Sequence, residues 1–428
     1  MAAAKQRGIA VIPRLFPRRA RGGALLAIVI LLLLAASATL AAARHLLHQS
    51  GRRAEAHSAA TLAEARAALL GYAIGYPELH PGQRPGYLPC PDNANTGSAP
   101  GVACHARGLG AFGRFPYRTL GLPIPADGRG QCLWYAVSGS FKHNPKALTL
   151  NWDSPGQFEI VDTAGRTLGG EGHSAVAVLI APGPPLPGQE RPPAAATMGA
   201  QRCPGSDNPA ADLPAFLDRA YGSGFAEGIV ITHGLPGSNA NDIVAWLTVD
   251  DIFNALRLRP DFPALIDTAL DAAATALQTW LDDPGLIAAH AETIIGDRAH
   301  GRFPGAAASG VAPEAADIHD NWRDQLRFVA CTGETACLTA TLADSATSNA
   351  SAVAEACRAI VLFGGERLRG DTPQRRRTDT ERADPAQYLE GENLASYTAG
   401  AGGYNGFRHY TIIDRRQPAS EDIVRCIP

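Results

Sequence analysis

The chain has 428 residues, 46% of them hydrophobic, with a formal net charge of −3. That is enough apolar material for a real core and more chain than one small domain uses, so two or three units are expected. The slightly acidic balance excludes nucleic acid as a partner of the whole chain, and 45 Gly with 32 Pro predict many turns and long loops.

Six basic residues, Lys5, Arg7, Arg14, Arg18, Arg19 and Arg21, precede 21 residues without charge, Gly23 to Ala43; Arg44, Arg52 and Arg53 follow. At 1.5 Å rise per residue, about 20 apolar residues cross a hydrocarbon core of roughly 30 Å. The upstream cations predict a leader over 1–22 held in the cytoplasm, a membrane helix over 23–43, and everything beyond on the other side. The alternative is a secretory signal peptide cut near Ala41-Ala42-Ala43, whose apolar core is usually shorter, about 7–15 residues. His45 and His48 stand at the membrane end and read as interfacial. Over 44–75 the helical pattern continues, with Leu62, Ala65, Leu69 and Tyr72 forming one apolar stripe. Ser50-Gly51 reads as a weak point, after which Thr61 and Glu64 cap a helix restart.

The junction Arg21-Gly22-Gly23-Ala24-Leu25-Leu26 resembles the class III signal of type IV prepilins and pseudopilins. The resemblance implies cleavage after Gly22 by a prepilin peptidase, with Gly23 as the first mature residue and the apolar helix retained. It also implies a bacterial inner-membrane protein with a periplasmic C-terminal domain, whose partners are other pilin-like or secretion-system subunits. The family usually carries Glu at the fifth mature position; here that position is Ala27, a start similar to K-type minor pseudopilins. The departure bears on cleavage and on entry into a filament. The segments Ala68–Ala73, Pro85–Asp92, Gly113–Leu122 and Leu133–Ser138, with Asn241-Asp242, resemble a group of uncharacterised pilin-like proteins. That likeness covers most of residues 20–250 and brings no chemistry with it.

Beyond the helix the chain repeats itself. Gly113-Arg114-Phe115-Pro116 recurs as Gly301-Arg302-Phe303-Pro304, and Leu133–Val137 as Leu326–Ala330. Ala175–Ile180 parallels Ala359–Phe363. Each of these runs is followed by an Arg-containing loop, Gly188–Arg191 and Gly370–Arg377. Asn208-Pro209 leading to Phe216-Leu217-Asp218 parallels Asp384-Pro385 leading to Tyr388-Leu389-Glu390. Each copy follows an apolar segment read as helical, Leu62–Ala73 and Leu286–Ile295. Five matches in one order predict a tandem duplication. The expected fold is α+β: a long N-terminal membrane-spanning helix, a helical stalk over 44–75, and two duplicated lobes with mainly antiparallel sheets, 76–260 and 301–428, joined by bridging helices over 261–300. AVAVLI and AIVLF read as central strands flanked by LWYAV and LRFVA. Ile229–Ile231 and Ile243–Leu247 read as a hairpin around Gly234–Asn239, and Thr248 with Asp251 as a helix cap. A helix is expected from about 263 to 282, ended by Asp283-Pro284-Gly285. The runs 181–196 and 367–387 read as surface loops.

The eight cysteines lie at 90, 104, 132, 203, 331, 337, 357 and 426, with no C-x-x-C. An even, scattered set suits disulfides in an oxidising compartment; buried free thiols are the alternative. Of 105 pairings, the local Cys90–Cys104 and Cys331–Cys337 are favoured, then Cys357–Cys426 to tie down the C-terminus, leaving Cys132–Cys203.

No motif points to catalysis, a metal or a cofactor. Gly172-His173-Ser174-Ala175-Val176 resembles a nucleophile elbow, but its fifth residue is Val and the strand follows the Ser instead of preceding it. Thr232-His233-Gly234 resembles an oxyanion-hole turn. Asp92, Asn93, Asn95 and Gly97 alternate as in calcium loops but lack EF-hand spacing and the terminal Glu, so an Asx turn is the simpler reading. Arg375–Arg377 reads as a solvated loop or a contact for an acidic partner. The expected role is therefore structural or binding, in a type II secretion or type IV pilus-like system. The alternatives are a membrane-anchored periplasmic hydrolase using Ser174 and His233, and an adhesin-like binding protein.

Overall fold

The computed structural model describes residues 21–168, 175–193, 203–219, 221–235, 239–344, 352–368, 373–410 and 422–428. The chain divides into Met1–Ala56 and a compact unit, His57–Pro428.

Helix α1 runs unbroken from Arg21 to Ile74, 54 residues. Its Ala, Leu and Arg content favours helix throughout. From Leu26 onward it is long and apolar enough, by length and composition, to cross a membrane, and Leu31–Leu34 are each 60–66% exposed. Farther along, Leu62, Ala65, Leu69 and Ala73 fall on one face and are buried in the core of the compact unit. The expected restart after Ser50-Gly51 does not occur. One interior Gly costs about 1 kcal/mol, which a helix already nucleated on both sides absorbs. Thr61, not needed as a cap, donates its hydroxyl to the Ala126 carbonyl at 3.1 Å.

After α2 (Tyr76–Leu79) come β1 (Gly110–Arg114), β2 (Trp134–Val137), β3 (Phe158–Val161), β4 (Ala175–Ala181), α3 (Pro209–Phe216), β5 (Gly224–Phe225), β6 (Ile229–Thr232) and β7 (Ile243–Thr248). These strands form one sheet in the order β5-β1-β2-β4-β3-β6, with β7 also on β4. Helices α4 (Val249–Leu256), α5 (Phe262–Asp282) and α6 (Pro284–His290) lead to the second half. There follow β8 (Thr293–Ile295), β9 (Arg298–Arg302), α7 (Ala306–Ser309), α8 (Pro313–Trp322), β10 (Leu326–Cys331), β11 (Leu338–Ala343), β12 (Val353–Cys357), β13 (Ala359–Phe363), α9 (Asp379–Ala383), α10 (Gly391–Ala399), β14 (Tyr404–Phe407) and β15 (Ile423–Ile427). Their sheet has the order β12-β11-β14-β15-β13-β10-β9-β8. Both sheets are mainly antiparallel, with parallel pairs at β3–β6, β11–β14 and β14–β15.

The two halves pair alike. In the first, Gly113 lies opposite Tyr135, and Tyr135 opposite Leu179. In the second, Gly301 lies opposite Phe328, and Phe328 opposite Val361. The fully buried runs β4 and β13 are interior strands, as continuous apolar runs require, and β7 and β15 lie antiparallel on their far sides. Gly113 and Gly301 stand where a side chain does not fit. A Cβ on Gly113 would lie 2.8 Å from the Asp92 carbonyl oxygen; on Gly301 it would lie 2.7 Å from that of His290.

Other expectations change as well. The segments at β6 and β7 do not form a hairpin ladder. Bonds from Leu235 N–H to Ala240 and from Gly234 N–H to Asp242 close the loop, but β6 then pairs in parallel with β3, and β7 takes the side of the buried β4. Residues 286–295 are not one helix. Helix α6 ends at His290, and the β-branched Thr293-Ile294-Ile295 pair with β9 across Gly296-Asp297, Gly296 having φ 63° as a two-residue hairpin turn requires. The run 367–387 is no plain surface loop: Gln374 and Arg376 are buried and α9 lies within it.

The segments expected as separate lobes each supply one sheet to the same compact unit. A single core cluster joins Leu62 and Leu69 of α1, Tyr135 and Leu179 of the first sheet, Ile266, Leu270 and Leu277 of α5, and Phe328 and Val361 of the second sheet. Thr248 and Asp251 cap α4 reciprocally, as the sequence predicts.

Candidate functional site

All eight cysteines are paired: Cys90 with Cys104, Cys132 with Cys203, Cys331 with Cys337 and Cys357 with Cys426, at Cα separations of 5.5–6.0 Å. They suit an oxidising compartment. The Cys132–Cys203 pair anchors the segment that the buried residues around it bind: Asn95 Nδ2 donates to the Cys203 carbonyl at 3.1 Å and Arg114 Nη2 to that of Pro204 at 2.5 Å.

Of the residues the sequence singles out, Gly22 and Gly23 lie in the first turn of α1, and the leader before Arg21 is outside the described residues. Ala27 is on α1, exposed, as are His45 and His48, His45 bonding Gln49 at 2.8 Å. Ser174 lies outside the described residues. In the His233 turn, His233 N–H donates to Val161 and Gly234 N–H to Asp242, while His233 Nδ1 accepts from Val244 N–H at 3.3 Å. Asp92 organises its own loop, its carboxylate accepting from the N–H groups of Ala94 and Gly97 and from the Thr96 hydroxyl. That is the Asx reading, not a cation shell. Among the described residues no three His, Cys, Asp or Glu side chains are grouped to hold a metal ion.

The arginines are where the polar interest lies. Arg114 of the first GRFP is 1% exposed, its guanidinium 3.8 Å from the Trp134 ring centroid and 4.2 Å from that of Phe216. Burial pulls its pKa down to about 9, against the nearby Asp212 and Asp92. Its counterpart Arg302 is half-exposed and pairs with Glu292 at 2.6 Å.

After each central strand a Gln-x-Arg segment folds back on the strand's exit. Leu186 N–H donates to Gln189 Oε1, and Leu368 N–H to Gln374 Oε1, both at 2.9 Å. Arg191 donates to that same Gln189 oxygen at 3.1 Å and to the Gly183 carbonyl at 2.6 Å. Arg376 donates to Gln374 Oε1 at 3.0 Å and to the Gly365 carbonyl at 2.9 Å. Arg191 lies over Phe216 and Arg376 over Tyr388. The segments were visible in the sequence; the clamp was not, because Gln and Arg read as solvent-facing. The sequence carries a further repeat: Asp242-Ile243-Val244 recurs as Asp422-Ile423-Val424, and both aspartates are buried at the start of equivalently paired strands. Asp242 accepts the Asp218 backbone N–H at 2.9 Å, and Asp218 accepts that of Asp242 at 2.8 Å. Burial pushes both carboxyls up, Asp242 well above its ordinary value, against the pull of Arg191.

The second clamp also crosses to the first half. Asp153 receives Arg376 Nη1 and Arg367 Nε at 3.2 Å each and Gln325 Nε2 at 2.6 Å. A cleft of about 130 Å³ opens beside this group, lined by Asp153, Pro155, Val249, Arg367, Arg376 and Arg377. No protein family, curated protein or solved structure matches this chain.

Proposed function

We propose that the protein is a non-catalytic, pilin- or pseudopilin-like component of a type II secretion or type IV pilus-like envelope system, anchored in the bacterial inner membrane with its disulfide-bonded head in the periplasm. The observation that carries this reading is α1. One unbroken helix exposes leucines over a membrane-length stretch and, farther along, buries Leu62, Ala65, Leu69 and Ala73 in a globular core. A cleaved secretory signal has no need of that continuity. The Gly22-Gly23 junction at its start and the four cysteine pairs support the same reading. In it, prepilin peptidase removes residues 1–22 and the retained helix meets other pilin-like subunits.

The head is, in this reading, a tandem duplication. The shared register through β1-β2-β4 and β9-β10-β13, the antiparallel β7 and β15, and the matching Gln-x-Arg clamps support it. Two similar sheets offer paired surfaces for assembly.

The test is the intact mass of the protein extracted from membranes. Loss of residues 1–22 supports the assignment. A mature chain starting near Ala43 overturns it in favour of a secreted protein.

A further inference from the structure

We propose that the cleft between residues 153–156 and the second clamp binds a small oxyanion, a phosphate or carboxylate group. The proposal is independent of the membrane and pilin reading. Three arginines line the cleft, Arg367, Arg376 and Arg377, with one acid, Asp153. Among the described residues, three nearby acids engage other groups. Glu366 pairs with Arg257 at 2.5 Å, Glu381 accepts the backbone N–H groups of Arg377 and Thr378, and Asp379 pairs with Arg382 at 2.8 Å. Among the described lining residues, arginines outnumber acids by three to one.

The site is built, not incidental. Arg376 is 2% exposed and held by the Gln387, Gly365 and Gln374 oxygens while it packs over the Tyr388 ring. A guanidinium fixed in this way is pre-organised for a planar or tetrahedral oxyanion. Asp153 already shows the chemistry, since its carboxylate is the internal anion that Arg367 and Arg376 take. Arg377, exposed at the rim, adds a third fork. Val249 and Pro155 supply low-dielectric walls that strengthen the attraction. The volume holds several waters or one phosphate or carboxylate group.

The source of the oxyanion, free phosphate or a protein carboxylate, is separated by the probe. The full chain in detergent is titrated with inorganic phosphate and, separately, with glutarate at low ionic strength, following thermal stabilisation and calorimetric heat. Saturable binding of either probe is expected, weakened at least tenfold in Arg377→Ala, whose side chain is exposed. Asp153→Asn, which retains one acceptor oxygen but removes the competing charge, is expected to bind at least tenfold more tightly. Preference for phosphate assigns a phosphate ligand, and preference for glutarate a carboxylate. No saturable binding to wild type, or equal binding by wild type and Arg377→Ala, overturns the proposal. If Asp153→Asn fails to fold, the Arg377→Ala comparison still decides.

Discussion

The Cys132–Cys203 and Cys331–Cys337 pairs allow a test in which one chemistry is applied to two loop lengths. The first closes 71 residues and the second 6. If a disulfide acts mainly by limiting the unfolded chain, the loop-length relation assigns about 4.4 kcal/mol to the long loop and about 2.2 kcal/mol to the short one. Replacing each pair by serines should therefore destabilise the head unequally, by a difference of about 2 kcal/mol. The structure raises that difference. Cys132 and Cys203 are both buried, and the backbone next to Cys203 accepts from Asn95 and Arg114, so releasing that segment also loosens two buried polar anchors. Cys337 is only half-buried and its loop lies at the end of β10. The assay is urea unfolding of the two double-serine variants in the same detergent, comparing midpoints at unchanged m-value. Equal destabilisation, or a larger loss from Cys331→Ser/Cys337→Ser, would refute the reasoning.

Gly113→Ala and Gly301→Ala should each cost about 1–3 kcal/mol, since the new methyl meets backbone or ring atoms below 3 Å; Gly333→Ala, with open space around it, should stay within about 0.5 kcal/mol in the same urea assay. His300 is buried against Tyr397, and burial lowers its pKa to about 4. It is neutral in the fold, so the unfolded chain binds the extra proton between pH 6.5 and 4, and stability falls across that window as pH drops, by up to about 3 kcal/mol. His300→Leu should flatten that part of the stability-versus-pH curve, and an unchanged slope would count against the assignment. Arg376→Ala removes bonds to three oxygens and leaves Asp153 short of a partner, so a loss of about 3–5 kcal/mol is expected by thermal unfolding.

Periodicity and local chemistry alone determined several things. The apolar run after Arg21, the stripe Leu62–Ala65–Leu69, the capping pair Thr248/Asp251 and the buried runs AVAVLI and AIVLF each concern a few neighbouring residues whose burial needs are written in their own side chains. The short-range cysteine pairs were legible for the same reason, since 14 and 6 residues of chain cannot stray far. Tertiary structure decided what depends on distant partners. Ile229–Ile231 and Ile243–Leu247 look like a hairpin until β3 and β4 compete for their edges. Residues 293–295 look helical until β9 is present to pair with them. Arg191 and Arg376 read as solvent-facing because burying a guanidinium is costly, and only the assembled carbonyls, glutamine oxygens and aromatic faces offset that cost. The cleft beside Asp153 belongs to the same class: its charges lie more than 200 residues apart, and they become a site only when the two halves fold onto one core.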